Sequence, residues 1–182
     1  MVMHAGHLAL PALGALLPLL PAPSDPRGAW LGTWDRVTRF RWDGKWHEER
    51  GRAVRDWVLG GRFLRETQLD ANGATEGLRY VGWDPDGRRS QLVIMDAMSP
   101  RFSLFEGAAA GDGTVTWEGE DTFPWAAEPL PVRLSVTSEG ADAHTLRMWA
   151  GAGDAEQLIL EVRYTRRPAS PTSRPEPKRA AK

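Results

Sequence analysis

The stretch Trp57-Val58-Leu59-Gly60-Gly61-Arg62-Phe63-Leu64-Arg65-Glu66-Thr67 decides the fold. It reads as the end of one strand, a glycine corner and the start of a second, because β-branched and aromatic residues flank a pair that tolerates positive φ. Working outward, the same two-residue periodicity is cut repeatedly by turn residues. Upstream, Trp30–Trp42 leads into Asp43-Gly44, a hairpin dipeptide suited to positive φ at both central positions. Lys45–Leu59 is then a second strand, long enough to need a bend, and Gly51 is the natural place for it. Downstream, Arg62–Leu69, Glu76–Asp84, Arg89–Met98, Arg101–Ala108 and Thr114–Glu120 are separated by Asn72-Gly73, Asp84-Pro85-Asp86-Gly87, Ser99-Pro100 and Gly111-Asp112-Gly113. A longer connection holding Phe123-Pro124-Trp125 ends at Pro131. Val132–Thr137, Ala143–Ala150 and Glu156–Arg166 follow, with Leu158, Leu160, Val162 and Tyr164 sharing one face of the last.

About ten strands in sequence order, joined mostly by short turns and with no long helical stretch between them, predict an all-β domain. A meander of this length closes to hide its edges, so the expected architecture is an up-and-down antiparallel β-barrel.

Composition narrows the function classes. Of 182 residues, 41 % are hydrophobic and 26 % charged, a globular balance. Lys and Arg number 23 against 24 Asp and Glu, so the basic surplus of a nucleic-acid binder is missing and no nucleic-acid partner is expected. With no cysteine, disulfides, thiolate zinc sites and cysteine nucleophiles are excluded. Nine tryptophans stand against five phenylalanines and two tyrosines. Each such ring buries ~150–250 Å², so the indoles either fill a core or wall a cavity.

The two ends differ from the middle. Residues 1–27 hold an apolar run, Leu8–Leu20, shorter than the ~20 residues of a membrane span, so no stable span is expected. Its length suits a signal-peptide core, but no Lys or Arg precedes it and prolines 21, 23 and 26 crowd the cleavage region. The other reading is a cap over one end of the barrel, which leaves export and retention both open. Residues 168–182 are rich in proline and basic, without apolar area to offset ordering, and are expected to be disordered. The barrel is therefore assigned to residues 28–167.

Several segments together carry a family resemblance: Gly32-Thr33-Trp34, Val58-Leu59-Gly60-Gly61-Arg62-Phe63-Leu64, Val81-Gly82-Trp83-Asp84, Met95-Asp96-Ala97-Met98-Ser99, Phe105-Glu106-Gly107 and Leu160-Glu161-Val162-Arg163-Tyr164-Thr165-Arg166-Arg167. In this order they resemble an uncharacterised bacterial family of lipocalin-like proteins, a domain of unknown function. The resemblance implies a calycin-type barrel, lipocalin- or fatty-acid-binding-like, and no activity. Gly-x-Trp on the first strand also resembles the lipocalin signature, in which a basic residue of the last strand stacks across the indole. Arg163 or Arg166 would take that part over Trp34.

Catalytic signatures are missing: no Gly-x-Ser-x-Gly elbow, no phosphate-cradling loop and no dinucleotide fingerprint occurs. His47 and His144 are isolated, and neither sits in a metal- or haem-ligating pattern, so no enzyme activity, metal or cofactor is expected. The leading expectation is non-covalent binding of a small hydrophobic or amphipathic molecule in an aromatic-lined barrel cavity. Trp57, Trp83, Trp117 and Trp149, on different strands, are its candidate walls, and Asp96 and Glu106 its candidate polar anchors. Asp96 ends an apolar strand, where it either faces inward, with a partner such as Arg79, or caps the Ser99-Pro100 turn; Glu106 poses the same question. Trp42 and Trp46 flank the first hairpin turn and suit a portal or a surface aromatic pair rather than the core. The alternative is a protein-interaction module with a filled, ligand-free core, for which Phe123 and Trp125 offer the surface. The oligomeric state is open.

Overall fold

The structure, a computed structural model, describes residues 26–84, 89–97, 99–109 and 114–168. The apolar run at 8–20 and most of the 168–182 tail lie outside the described residues. A 3-10 turn at Pro26–Trp30 precedes ten strands: β1 (Gly32–Trp42), β2 (Lys45–Val58), β3 (Phe63–Leu69), β4 (Thr75–Asp84), β5 (Arg89–Asp96), β6 (Phe102–Ala109), β7 (Val115–Asp121), β8 (Leu130–Ser138), β9 (Ala143–Ala150) and β10 (Gln157–Arg166). Each pairs antiparallel with its sequence neighbours, and β10 returns to β1, closing the barrel.

The turn chemistry works as the dipeptides require. Asp43 and Gly44 have φ of 50° and 74°, joining β1 to β2 in the minimum of residues. At the next corner the left-handed positions are Leu59, Gly60 and Gly61, with Gly61 N–H donating to Val58 O at 3.1 Å. The turn therefore begins one residue earlier than the glycine pair suggests. Two bulges adjust the walls. In β4, Gln68 pairs with Gly77 but Leu69 with Thr75, leaving Glu76 as the extra residue. In β10 the register shifts between Leu158 and Leu160. Leu158 consequently pairs with the outward-facing Trp149, while Ile159 and Leu160 pack on the core. The expected single face of Leu158, Leu160, Val162 and Tyr164 is thus broken at Leu158.

Strand alternation sends one face of each strand inward. Trp34, Leu64, Leu92, Phe105, Trp117, Leu134, Val162 and Tyr164 are the large side chains fully buried there. The base of the barrel is plugged by the 3-10 turn, whose Trp30 is buried and whose backbone carbonyl accepts the Trp34 indole N–H at 2.8 Å. Two arginines tie this plug to the walls. Arg166 donates to Leu31 O and Ala29 O, each at 2.6 Å. Arg27 donates to Val81 O at 2.8 Å and lies over the Trp57 ring. At the other end, the 122–129 connection between β7 and β8 folds across the mouth: Trp125 meets Trp42 of β1 edge to face at 6.0 Å, although β10 and β9 separate β1 from β8.

Candidate functional site

The barrel centre is a charged layer. Glu66 shares the inward face of β3 with Leu64, Arg55 that of β2 with Ala53, and Arg79 that of β4 with Val81; all three are buried. Glu66 Oε2 accepts from Arg55 Nε at 2.5 Å, and Oε1 accepts from Gln68 Nε2 at 2.7 Å and Arg79 Nη1 at 3.2 Å. The Tyr164 hydroxyl accepts from Arg79 at 2.8 Å and donates to Glu66 Oε1 at 3.1 Å. Arg36, from β1, pairs with Glu76, the bulge residue of β4. Such a layer survives burial only because nearly every polar atom is partnered.

Electrostatics follow from that geometry. Burial pushes the Glu66 carboxyl up, but Arg55, Arg79 and the hydrogen bonds outweigh it and hold the group at about 2. His144, stacked on Tyr164 with ring centroids 4.5 Å apart and 2.7 Å from Arg55 Nη1 through Nε2, is lowered to about 3 by burial and by the Arg55 charge. A guanidinium only donates, so Nε2 of the neutral ring accepts and the proton sits on Nδ1. Tyr164 is raised, first by burial, and stays a phenol.

Beside this layer lies a void of about 30 Å³ bordered by Trp30, Arg55, Glu66, Arg79, Trp117 and His144. It has room for one or two water-sized species. A far larger recess, about 540 Å³, opens at the mouth between the β1–β2 hairpin, the 122–129 connection and the start of β10. Trp42, Pro124, Trp125 and Ile159 give it apolar walls, and Arg41, Asp43 and Gln157 its polar rim. Phe123 stacks on Trp125 at 4.7 Å and packs against the core, anchoring the exposed indole from below. Arg41 Nη1 donates to Gln157 Oε1 at 2.6 Å, bridging β1 and β10 at the edge.

The six residues expected to form a cavity site are scattered. Trp117 is buried, donates its indole N–H to Ser90 Oγ at 3.0 Å and borders the small void. Trp57 and Trp83 continue the inward faces of β2 and β4 toward the base and are half-buried. Trp149 faces outward, because the inward positions of β9 are His144, Leu146, Met148 and Ala150; Arg133 lies over its ring at 4.0 Å. Glu106 is likewise on the outer wall, opposite in parity to buried Phe105, with its carboxylate 3.9 Å from Arg89. Asp96 has the parity of Leu92 and Ile94 but ends the strand in solvent, where Oδ1 accepts the Ser99 N–H at 3.0 Å. For Trp149 and Glu106 the expectation of an inward, cavity-lining position is corrected; for Asp96 the turn-capping alternative is the one observed. Arg79 is inward and hydrogen-bonds Glu66 and Tyr164, and the Asp96 charge acts on it as well. Trp42 stands at the mouth, whereas Trp46 sits outside, under Arg39.

Sequence reasoning missed the charged layer. The signal was parity: Arg55 falls two residues from Ala53 and from Trp57, Glu66 two from Leu64, and Arg79 two from Val81. The basic stacking partner of Trp34 is Arg166, with Cζ 4.1 Å from the ring centroid; Arg163 points outward to Glu161.

Residues 28–166 match a protein family described as "Protein of unknown function (DUF1579)". No curated protein matches the chain. Among solved structures, the crystal structure of Rv2717c from M. tuberculosis is similar over 79 % of this chain and 98 % of its own, with a TM-score of 0.50 and 16 % sequence identity. At that identity the likeness is one of fold.

Proposed function

The chain belongs to the DUF1579 family, and from its own side chains we propose that it binds a small hydrophobic or amphipathic molecule non-covalently in the recess at the barrel mouth. One observation carries this: the mouth recess measures about 540 Å³ and the central void about 30 Å³. Only the first falls in the ~300–1,000 Å³ range of small-molecule sites. The expected site thus moves from the barrel centre to its rim. Binding would draw on displacement of water from the faces of Trp42 and Trp125, with Arg41 and Gln157 placed to orient a polar head group. The same reading takes the Trp34–Arg166 closure of the base as a lipocalin-like arrangement.

Titration of tryptophan fluorescence with fatty acids, retinoids and haem tests the reading. A saturable spectral change that is lost in Trp125→Ala and Trp42→Ala supports it. Indoles indifferent to all three classes overturn it.

A filled centre also favours a second reading, in which the exposed Trp125 and its neighbour Phe123 dock another protein. Partner binding that is lost in Phe123→Ala and Trp125→Ala, in a chain that binds no small molecule, would establish it instead.

A further inference from the structure

The central layer carries one unmet donor. Arg36, Arg55 and Arg79 pair with Glu66 and Glu76, and the charges of Asp96 and Glu49 act on Arg79 and Arg36 from farther off. Arg79 is 8 % exposed, and its Nε is buried without a hydrogen-bond partner among the described residues. Leaving such a donor unmet is costly. Arg79 borders the void of about 30 Å³, as do Arg55 and His144, whose tautomer puts a second donor on Nδ1. The remaining walls are the Glu66 carboxylate, the rings of Trp30 and Trp117, and aliphatic side chains, Leu64, Val81 and Leu92 among them.

We propose that this void is a binding site for a small monovalent anion of halide size, held by the Arg79 and Arg55 guanidinium groups at the centre of the barrel. Hydrogen-bond demand sets the preference for an anion over water. A water molecule there accepts from the guanidinium groups but must place its own protons. The Glu66 oxygens already take donors from Arg55, Arg79, Gln68 and Tyr164, and the aliphatic walls accept none. An anion has no protons to place and accepts from several donors at once. Size sets the class of anion. One or two water-sized species fit, so a carboxylate with any alkyl tail is too large. This site is separate from the mouth recess and shares no lining residue with it.

Two measurements on the full chain test the assignment. Crystals grown in sodium bromide are expected to show an anomalous peak beside Arg79 and Arg55. In solution, chloride and bromide are expected to raise the unfolding midpoint saturably, and gluconate at equal ionic strength to leave it unmoved. Arg79→Lys, which keeps the charge and removes the fork, is expected to weaken the halide effect at least tenfold. Should that variant fail to fold, the bromide crystals decide. Water alone in the void, or equal midpoint shifts from halide and gluconate, overturns the proposal.

Discussion

Arg166 stacks over Trp34, its guanidinium carbon 4.1 Å from the ring centroid, while its two terminal nitrogens hold the carbonyls of Leu31, Ala29 and Ala141. One side chain from the last strand thus fixes the first strand's indole and the plug beneath it. Arg55 lies over the same ring at 5.5 Å, so two guanidinium groups, one from β2 and one from β10, converge on Trp34.

Arg166→Met is expected to lower stability by roughly 2–4 kcal/mol, from the lost cation–π contact and charge-assisted hydrogen bonds. Arg166→Lys should recover only a part, because an ammonium cannot reach three carbonyls as a planar fork does. Urea denaturation followed by near-ultraviolet circular dichroism measures both the loss and the loosening of Trp34.

Acid should weaken the fold before its carboxylates titrate. His144 binds a proton near 6.5 when unfolded and near 3 when folded. Below 6.5 the unfolded chain therefore holds the extra proton, and stability falls as pH falls. The slope is about 1.4 kcal/mol per pH unit, or roughly 2–3 kcal/mol between pH 6.5 and 4.5. Glu66, depressed from 4.5 to about 2, adds its own loss below that window. His144→Gln should flatten the upper part of the curve, and unfolding free energies across the pH range would show whether it does.

Leu59 has a φ of 50° and is 73 % exposed, an unfavourable backbone for a branched apolar residue with little packing in return. Leu59→Asn should raise stability by about 1 kcal/mol and the midpoint by roughly 2–4 °C. Calorimetry of the two proteins checks it, and a lower midpoint in the variant refutes it.

Gly107 lets β6 approach β7 closely: a Cβ there would meet Thr116 O at 1.8 Å and Trp117 Cα at 2.7 Å. Gly107→Ala should cost ~3 kcal/mol, since backbone rather than a flexible side chain must move. Gly28→Ala, where nothing lies within 4 Å, is the control and should be nearly neutral.

The barrel was legible because its turns are written in the chain. Asp43-Gly44, Asn72-Gly73 and the glycine corner at 60–61 fall between strands, and Ala143–Ala150 is a strand with the expected bounds. The site was less legible, for three physical reasons. Charged residues on inward parity, such as Arg55 and Glu66, look like solvent-facing ones until neighbouring strands supply their counter-charges. Both faces of β9 carry a large apolar side chain near its end, Met148 and Trp149, so parity alone did not say which side chain turned outward. The mouth recess joins Trp42 to Trp125 through a connection that reaches past β9 and β10, and no local pattern encodes that crossing.

The layer around Glu66 reaches across the barrel from β2, β3 and β4 to Tyr164 of β10, and it acts as a bulkhead. The molecule is a cup and not a tube. On the proposed reading, a guest at the rim would enter and leave by the same end, beside Trp42 and Trp125, and would find no passage through to the base.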